Sequence, residues 1–280
     1  MQGKVVVVTG ATSGIGQVAA ESLAAKGARI VLVARDRARG EAMLQRLRRL
    51  TPTAHGVHYG DLSRLADMKR VAAEIAAAEP RIDVLVNNAG ALFGTRTVTE
   101  DGLEATFALN HMSYFVVTNG LLGSLQAAAR HGTGARIVST ASGAHMTARL
   151  DFDDLQSMKN YAAYSVYAKS KLCNVLHTRE LARRLRGTGV TANCLHPGVV
   201  ATRFGDNTTG FFAAGFKLFK RFARTPEQGA QTIIHLASAP EVAELSGGYF
   251  ENCRPAAPSA RAMNDETARR LWAESERLAG

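Results

Sequence analysis

The stretch that decides the fold is Thr9-Gly10-Ala11-Thr12-Ser13-Gly14-Ile15-Gly16, which lies between two contrasting patterns. Residues 5–9 form a continuous β-branched run, and residues 16–26 have the length and composition of a helix. The three glycines allow a sharp turn that brings backbone N–H groups and the helix N-terminus up to a pyrophosphate. A glycine-rich turn alone is a weak signal, but its position between a strand and a helix indicates a dinucleotide site.

Short apolar runs alternate with longer helical stretches along the rest of the chain. The predicted strands are 5–9, 28–34, 56–60, 84–87, 136–141 and 190–195. The predicted helices between them include 16–26, 37–50 and 64–79. This order predicts an α/β fold, a single Rossmann-type doubly wound parallel sheet with helices on both faces and its ligand at the carboxyl ends of the strands. We expect one domain over residues 1–280, because no low-complexity linker divides the chain.

The composition narrows the range of partners. The 280 residues carry a net charge of +10, from 34 Lys and Arg against 24 Asp and Glu, which favours anions such as a phosphorylated cofactor. No nucleic-acid motif accompanies this charge, so we expect a solvated basic surface and no nucleic-acid partner. Three separated cysteines suggest neither a disulfide framework nor a metal site. Because the first strand pattern begins at Lys4, we also expect no signal peptide or membrane anchor, and a cytoplasmic protein.

Three motifs occur in order along nearly the whole chain: the glycine turn, Asn87-Asn88-Ala89-Gly90 and Tyr167-x-x-x-Lys171. Together they resemble the short-chain dehydrogenase/reductase (SDR) superfamily. A narrower resemblance, to its retinol-dehydrogenase-like and WW-domain-oxidoreductase-like branch, rests on residues 170–176, 179–182, 196–200 and 246–250. The resemblance implies an oxidoreductase that interconverts an alcohol and an aldehyde or ketone by hydride transfer, with a nicotinamide cofactor and a small-molecule substrate.

Tyr167 and Lys171 stand four residues apart and therefore share one face of a predicted helix. A phenol with its usual pKa of about 10 transfers protons poorly at neutral pH, but an adjacent ammonium favours the phenolate and should lower the Tyr167 pKa. Tyr167 would protonate the carbonyl oxygen in reduction and deprotonate the alcohol in oxidation. The alternative is an aromatic helix stripe of Tyr161, Tyr164 and Tyr167, and the glycine turn favours the catalytic interpretation.

The hydroxyl that orients the carbonyl is expected at the end of the fifth strand, where Ser139, Thr140 and Ser142 compete. The family's strand-end motif selects Ser142. Its separation from Tyr167 is longer than in classical members, so the extra segment, which includes residues 150–155, has to loop out. The resemblance also makes Asn110 the catalytic asparagine that helps hold a water beside the lysine. An asparagine within a helix pattern is alternatively a local irregularity.

The resemblance implies further cofactor contacts after each strand. Asp61 and Leu62 follow the third strand and match the adenine-binding pair, although Asp61 is also a candidate cap for the helix beginning near residue 64. Pro197-Gly198 would face the nicotinamide, although Pro-Gly is also an ordinary turn. The remaining cofactor positions are Asn88, Ala89, Gly90, Val200 and Thr202, together with Tyr167 and Lys171.

The end of the second strand, Ala34-Arg35-Asp36, predicts NADP(H) as the cofactor. NAD-specific sites place an acidic side chain there, about 20 residues past the glycines, to bind the ribose 2′-hydroxyl. Strand register puts Ala34 at that position, where a methyl group leaves space for a phosphate. Arg35 can pair with this phosphate, and Asp36 is interpreted as the N-cap of helix 37–50.

Residues 205–225 are predicted to form a substrate lid. Within them, residues 211–224 have an apolar and a basic face at helical spacing. We expect phenylalanines such as Phe216 and Phe219 to line a pocket for a lipophilic substrate. Core packing and a basic interfacial helix that contacts anionic membrane are the alternatives. The substrate, the physiological direction and the oligomeric state, with a homodimer as one option, stay open.

Rival functions can be weighed from the same residues. A non-catalytic NADP(H)-sensing scaffold would be expected to lose the tyrosine, lysine or serine, and all three are present. A sugar-nucleotide epimerase would need a substantial second domain. A biosynthetic ketoreductase of a polyketide-like substrate would use the same site, and only a substrate panel separates it from an enzyme acting on other carbonyls.

Overall fold

One eight-stranded sheet organises the chain in the computed structural model, which describes residues 1–200 and 224–280. The strands are β1 (Val5–Thr9), β2 (Arg29–Ala34), β3 (Gly56–Tyr59), β4 (Val84–Asn87), β5 (Ala135–Thr140), β6 (Val190–His196), β7 (Tyr249–Glu251) and β8 (Arg254–Pro255). Their spatial order is β3-β2-β1-β4-β5-β6-β7-β8, parallel throughout except for the antiparallel β7–β8 pair. The order reverses between β1 and β4, and this reversal opens the crevice in which doubly wound folds bind ligands.

Helices cover both faces of the sheet. The α-helices are α1 (Gly14–Ala25), α2 (Arg37–Leu50), α3 (Leu65–Ala78), α4 (Ala105–Phe107), α5 (Ser113–Ala128), α6 (Ala163–Arg184), α7 (Pro226–Ser238) and α8 (Asp265–Ala279). A π-helical turn, Ala108–Met112, joins α4 to α5, and a second, Ala129–Thr133, follows α5. The 3-10 helices are Gly143–Thr147, Phe152–Asp154, Pro240–Val242 and Ala260–Met263.

The core has two layers because successive side chains of a strand point to opposite faces. On β1, Val6 and Val8 pack with the residues of α1, α2 and α7, whereas Val7 packs with those of α3, α5 and α6. The C-terminal helix α8 adds Leu271 and Trp272 to the second layer. Since both faces are covered, the strands are apolar almost throughout, as the sequence pattern indicated.

The structure confirms the predicted fold class and places all six predicted strands within one residue of their expected ends. The first helix begins at Gly14 and not at residue 16, because the glycine turn enters the helix directly. Asp36 caps α2 as expected, accepting a hydrogen bond from Arg39 N at 2.8 Å. Neither β7 nor β8 was predicted. They have three and two residues, too few for a periodic pattern.

The segment before Tyr167 does leave the sheet, as expected, and hydrogen bonds hold it against the connection between β4 and α4. Gln156 accepts at its side-chain oxygen from Glu104 N, at 2.7 Å. The Tyr161 hydroxyl donates to the Phe93 carbonyl oxygen at 2.7 Å. These bonds make the segment one wall beside the carboxyl ends of the strands. Most of the predicted lid, residues 205–223 with Phe216 and Phe219, lies outside the described residues. The predicted cofactor position Thr202 also lies outside them.

Candidate active site

The glycine turn is built against the loop that follows β4. Gly10 has φ +67°, and a Cβ at this position would lie 2.8 Å from Ala89 Cα. The Asn88 side-chain amide donates to the carbonyl oxygens of Thr9 and Gly10, each at 3.2 Å. A Cβ on Gly16 would overlap this amide. The close approach of the two loops therefore requires glycine at both positions.

Thr9 ties the same two loops together, a role that the sequence analysis did not assign. Its hydroxyl oxygen accepts from Asn88 N at 2.9 Å and from Ala89 N at 3.0 Å. The hydroxyl group also lies 3.4 Å from the Val86 carbonyl oxygen, to which it donates. Thr9 directly precedes the first glycine, and that position was the available signal. The carboxyl ends of β1 and β4 thus form one rigid edge beside the N-terminus of α1.

Gly16→Ala is expected to abolish tight cofactor binding and to lower Tm. The added methyl would meet Asn88 and the Gly10 carbonyl oxygen, so the turn must open. We expect the Kd for the nicotinamide dinucleotide, measured with NADPH and with NADH, to rise about 10-fold or more, since small displacements of a positioned site cost this much. Fluorescence titration of the two cofactors measures it, with Gly123→Ala as the control, because a Cβ at Gly123 meets nothing within 4 Å. Unchanged binding of NADPH and NADH in Gly16→Ala would contradict this placement.

The end of β2 presents arginines beside the glycine turn. Ala34 is buried, whereas the Arg35 side chain is 72% exposed, with Nη1 3.9 Å from Asp61 Oδ2. Such an exposed pair contributes little stability, so Arg35 is free to pair elsewhere. The Arg39 guanidinium donates to the Thr12 carbonyl oxygen at 3.2 Å, a contact that the sequence analysis missed. Arg35, at the end of β2, and Arg39, in α2, therefore both lie near the glycine turn.

Asp61 and Leu62 occupy the turn after β3. Asp61 Oδ1 accepts from Ser63 N at 3.0 Å and from the Ser63 hydroxyl at 2.8 Å. Helix α3 has Arg64 at its N-cap, so Asp61 does not cap it, and that alternative is wrong. The Leu62 side chain lies in the core.

Asn110 lies in the π-helical turn between α4 and α5 and is fully buried. Its side chain pairs with both backbone groups of Ala91, accepting from N and donating to O, each at 2.9 Å. It also donates to the Ser170 hydroxyl at 2.9 Å. The helix is irregular at Asn110, as the alternative interpretation expected. The Asn110 side chain, however, bonds Ala91 and Ser170, which are distant in sequence, and not the backbone of its own helix. Single π-turns of this kind frequently occur at functional sites.

Tyr167 and Lys171 project from α6 toward the end of β5, which confirms their common helix face. Lys171 Nζ donates to the Thr140 carbonyl oxygen at 2.8 Å and lies 5.7 Å from the Tyr167 ring centroid. A Cβ on Gly90 would lie 3.6 Å from the same Nζ. Lys171 is 3% exposed and Tyr167 is partly buried. The lysine therefore reaches the edge formed by the loops after β4 and β5.

Among the three competing hydroxyls, the structure brings Ser142 to Tyr167, because the two side chains share a hydrogen bond. Ser142 also accepts from Ala144 N at 3.2 Å, at the start of the 3-10 helix Gly143–Thr147. Ser139 is buried within β5. The Thr140 hydroxyl is engaged with Asn88 Oδ1 at 3.3 Å. Ser142 is therefore the hydroxyl that lies beside Tyr167.

The pKa shifts correct one expectation. Burial raises the pKa of Tyr167 to about 12, and its hydrogen bond to Ser142 offsets only part of this. Burial also lowers the pKa of Lys171 to about 7. The prediction that the ammonium lowers the Tyr167 pKa is therefore wrong for this arrangement, since desolvation outweighs it and Nζ bonds the Thr140 carbonyl oxygen. The phenol of Tyr167 therefore stays protonated at neutral pH.

The rate of alcohol oxidation is expected to rise with pH. With Tyr167 as the base that the resemblance implies, oxidation would need its phenolate, and with a pKa of about 12 the phenolate fraction grows with each pH unit up to that value. Reduction needs the phenol, which persists over the same range. We expect kcat for oxidation to increase from about pH 7 to about pH 10 while kcat for reduction does not increase. Saturating pH profiles in both directions check this. An oxidation rate that falls as the pH rises would contradict it.

Residues after β6 close the edge of the sheet beside α1. Gly198 has φ +85°, and a Cβ there would lie 2.6 Å from Arg224 Cδ, so the turn after Pro197 requires glycine. A Cβ on Gly229 would lie 2.6 Å from Val200 Cγ2 and 2.8 Å from Ile15 Cγ2. The predicted cofactor positions Ile15 and Val200 thus converge on the start of α7.

Comparison with known proteins identifies the architecture. The model of the short chain dehydrogenase family matches residues 4–211. The chain belongs to this family. Retinol dehydrogenase 13 of Homo sapiens is 42% identical over 286 aligned positions, covering 99% of this chain and 85% of the relative. Retinol dehydrogenase 14 of Mus musculus is 41% identical over 294 positions, covering 100% and 87%. This short-chain dehydrogenase therefore lies in the retinol-dehydrogenase-like branch.

Two solved structures have a fold similar to that of this chain. An uncharacterised protein from Mycobacterium paratuberculosis superposes with a TM-score of 0.79 at 30% identity, over 99% of this chain and 94% of that one. Pseudomonas aeruginosa RhlG, solved as an NADP complex, gives a TM-score of 0.73 at 27% identity, over 89% and 94%.

Membership of the family establishes the class of reaction. The short-chain dehydrogenase is an oxidoreductase that interconverts alcohol and carbonyl groups of a small molecule, with a nicotinamide dinucleotide, NAD or NADP, as cofactor. Within residues 1–200 and 224–280, no helix combines the length and the apolar character needed to cross a membrane.

Proposed function

We propose that this short-chain dehydrogenase uses NADP(H) to interconvert a lipophilic alcohol and its aldehyde or ketone, with Tyr167 as the general acid and base. The observation that carries the proposal is the convergence of Tyr167, Ser142 and Lys171 beside the glycine turn. Tyr167 and Lys171 come from one face of α6, Ser142 follows β5, and the three meet at the carboxyl ends of the strands. Loss of this constellation would be expected in a non-catalytic scaffold.

The residues present fit a dinucleotide. Gly10 and Gly16 lack the Cβ atoms that would crowd the edge of the crevice. A pyrophosphate can therefore approach the backbone of residues 10–16. Asn88, Ala89 and Gly90 would line its middle, and Asp61 its adenine end. When bound, the nicotinamide supplies or accepts the hydride. Pro197-Gly198 would face that ring, and Val200 and Thr202 are further cofactor positions that rest on the resemblance.

The side chains would handle the proton. The Ser142 hydroxyl orients the substrate oxygen, and the Tyr167 hydroxyl donates a proton to it in reduction or accepts one in oxidation. Lys171 Nζ bonds the Thr140 carbonyl oxygen and lies 5.7 Å from the centroid of the Tyr167 ring, where its lowered pKa of about 7 would let it exchange a proton with a neighbouring water. Asn110 fixes the backbone at Ala91 and the hydroxyl of Ser170, one residue before the lysine. Its role is to keep this edge rigid and to hold a water near Lys171.

The preference for NADP(H) rests on the end of β2. Ala34 offers no carboxylate to a ribose hydroxyl, and Arg35 projects from the edge with most of its side chain exposed. Arg39 adds a second guanidinium that is hydrogen-bonded to the glycine turn. A guanidinium pairs well with a phosphate dianion. Pseudomonas aeruginosa RhlG, a relative with a solved structure, was obtained as an NADP complex, which supports the same cofactor here.

The substrate proposal rests on the relatives and on the sequence of the predicted lid. The similar proteins are named retinol dehydrogenases, and retinol is a lipophilic alcohol. Residues 205–225 are proposed as the lid of a single domain spanning 1–280, with phenylalanines toward the substrate. An alternative role for residues 211–224 is contact with anionic membrane. The proposal holds equally for a monomer and for a homodimer. Three free cysteines favour a cytoplasmic location.

A substrate panel tests the proposed function. Purified protein is given NADPH with retinal, medium-chain aldehydes, a steroid ketone and a bicyclic polyketide-like ketone, and NADPH oxidation is followed. We expect turnover, with the highest kcat/KM for a lipophilic aldehyde. The highest kcat/KM for the bicyclic ketone would support the biosynthetic ketoreductase instead. Tight NADPH binding without turnover of any compound would support the sensing scaffold and overturn the proposal.

A further inference from the structure

Two buried histidines connect the proposed catalytic residues to the C-terminal segment, residues 256–279. His145 follows Ser142 by three residues, and His111 directly follows Asn110. Both imidazoles are fully buried, and each makes one hydrogen bond to the C-terminal segment. Neither histidine belongs to the proposed chemistry, so their bonds need another explanation.

His145 bridges Ser142 and Ser259. Its Nδ1 lies 2.7 Å from the Ser142 carbonyl oxygen, and its Nε2 lies 3.1 Å from Ser259 N. A carbonyl oxygen only accepts and a backbone N–H only donates, so the partners assign the proton to Nδ1 and the lone pair to Nε2. Burial lowers the pKa of His145, which favours this neutral form. The ring of Tyr249 packs against it, with the centroids 4.9 Å apart.

His111 bridges the π-helical turn and α8. Its Nε2 lies 2.8 Å from Ser275 Oγ, and the Ser275 hydroxyl itself donates to the Leu271 carbonyl oxygen at 2.7 Å. The serine proton is therefore committed, and His111 must donate from Nε2. Phe107 and His177 pack around the ring, with centroids 5.1 Å and 5.9 Å away. The imidazole thus joins α8 to the turn that carries Asn110.

We propose that the C-terminal segment positions the active site through these two histidines, with Ser259 and His145 fixing Ser142, and Ser275 and His111 fixing Asn110. This inference rests on the proposed function, in which Ser142 and Asn110 act. His145 and His111 are positioning residues, since they act through their neighbours. A displacement of about 1 Å at such a site can cost on the order of 10²-fold in rate, so a backbone bond to Ser142 matters for turnover.

The first arm of the test breaks the contact between Ser259 N and His145. Ser259 has φ −62°, which proline adopts, so Ser259→Pro keeps this φ, removes the N–H and puts the proline Cδ against His145 Nε2, which displaces the imidazole. Both Ser259→Pro and Ser259→Ala lose the hydroxyl that accepts from Ala262 N, but only the alanine variant keeps the bond to His145. We expect kcat about 10-fold lower in Ser259→Pro than in Ser259→Ala, with a similar KM for NADPH.

The second arm isolates the bond from His111. Ser275→Ala removes the acceptor, and Ser275→Thr keeps a hydroxyl. Trp272→Phe is the matched control because it loosens the same helix, where Trp272 stacks on His177 with centroids 5.6 Å apart, but leaves the serine intact. We expect Ser275→Ala to lower kcat about 10-fold, Ser275→Thr to restore it, and Trp272→Phe to lower Tm without lowering kcat.

Steady-state kinetics and thermal melting of the full chain decide the matter. A kcat for Ser259→Pro equal to that for Ser259→Ala, or a kcat loss in Trp272→Phe equal to that in Ser275→Ala, would overturn the inference. Should Ser259→Pro not fold, His145→Asn replaces it, since an Asn amide can still donate to the Ser142 carbonyl oxygen but does not reach Ser259 N. A kcat for His145→Asn equal to that of the unmodified protein then overturns the inference. Absence of turnover in the unmodified protein would instead refute the proposed function.

Discussion

Tyr167→Phe is expected to lower kcat by about 10²- to 10⁴-fold, the usual contribution of a general acid or base, while NADPH still binds. The substitution removes only the hydroxyl that the structure places in a hydrogen bond with Ser142. The ring that lies 5.7 Å from Lys171 Nζ stays in place. Steady-state turnover with the best carbonyl substrate, together with a fluorescence titration of NADPH, measures both effects.

The matched control is Tyr164→Phe. Tyr164 precedes Tyr167 by three residues on α6, and it is 52% exposed. We expect this variant to retain the kcat of the unmodified protein. If Tyr167→Phe also kept most of its activity, Tyr167 would be removed from the mechanism. Equal losses in the two variants would show that α6, and not the Tyr167 hydroxyl, is responsible.

The double substitution Ala34→Asp with Arg35→Ile is expected to turn the cofactor preference toward NADH. Loss of a charge-assisted hydrogen bond to the 2′-phosphate costs about 1.5–3 kcal/mol, and the new carboxylate repels the phosphate and accepts from a ribose hydroxyl instead. The ratio of kcat/KM for NADPH to that for NADH should therefore fall by about 10²-fold or more. Both constants are measured with one carbonyl substrate held at saturation.

Arg37→Ile provides the control for this change. Arg37 is the first residue of α2, and its guanidinium lies 4.7 Å from the centroid of the Tyr59 ring. It carries the same charge as Arg35 but is engaged with the ring, so its loss should leave the preference for NADPH unchanged. An unmodified protein that already prefers NADH would show that Ala34 does not occupy the acidic position of the motif.

The fold could be predicted from the sequence because its signals are local. The β-branched run before Gly10 and the helix after Gly16 define the first strand, turn and helix, and the later strands repeat that alternation. Parallel strands need crossover helices, and these helices cover both faces of the sheet, so the layered architecture follows from the alternation. The short strands β7 and β8 escaped prediction, since three and two residues carry no period and pair only after β6 is in place.

The site was predictable where a motif marks it and not where tertiary contacts build it. The spacing of Tyr167 and Lys171 gave their common face, but the choice of Ser142 needed the resemblance to a family. The direction of the Tyr167 pKa shift was mispredicted because it depends on burial, which spacing does not reveal. The histidine bridges join residues 114 and 164 positions apart, and nothing local in the sequence indicates them.

Deuterium transfer from NADPH labelled at C4 tests the central claim most directly. The protein is incubated with its best carbonyl substrate and with each of the two C4-deuterated forms in turn, and the alcohol is analysed by mass spectrometry. We predict deuterium on the carbinol carbon of the product from one labelled form and not from the other, with the yield collapsing in Tyr167→Phe. Alcohol without deuterium from either form, or labelled alcohol formed equally well by Tyr167→Phe, would contradict the proposal.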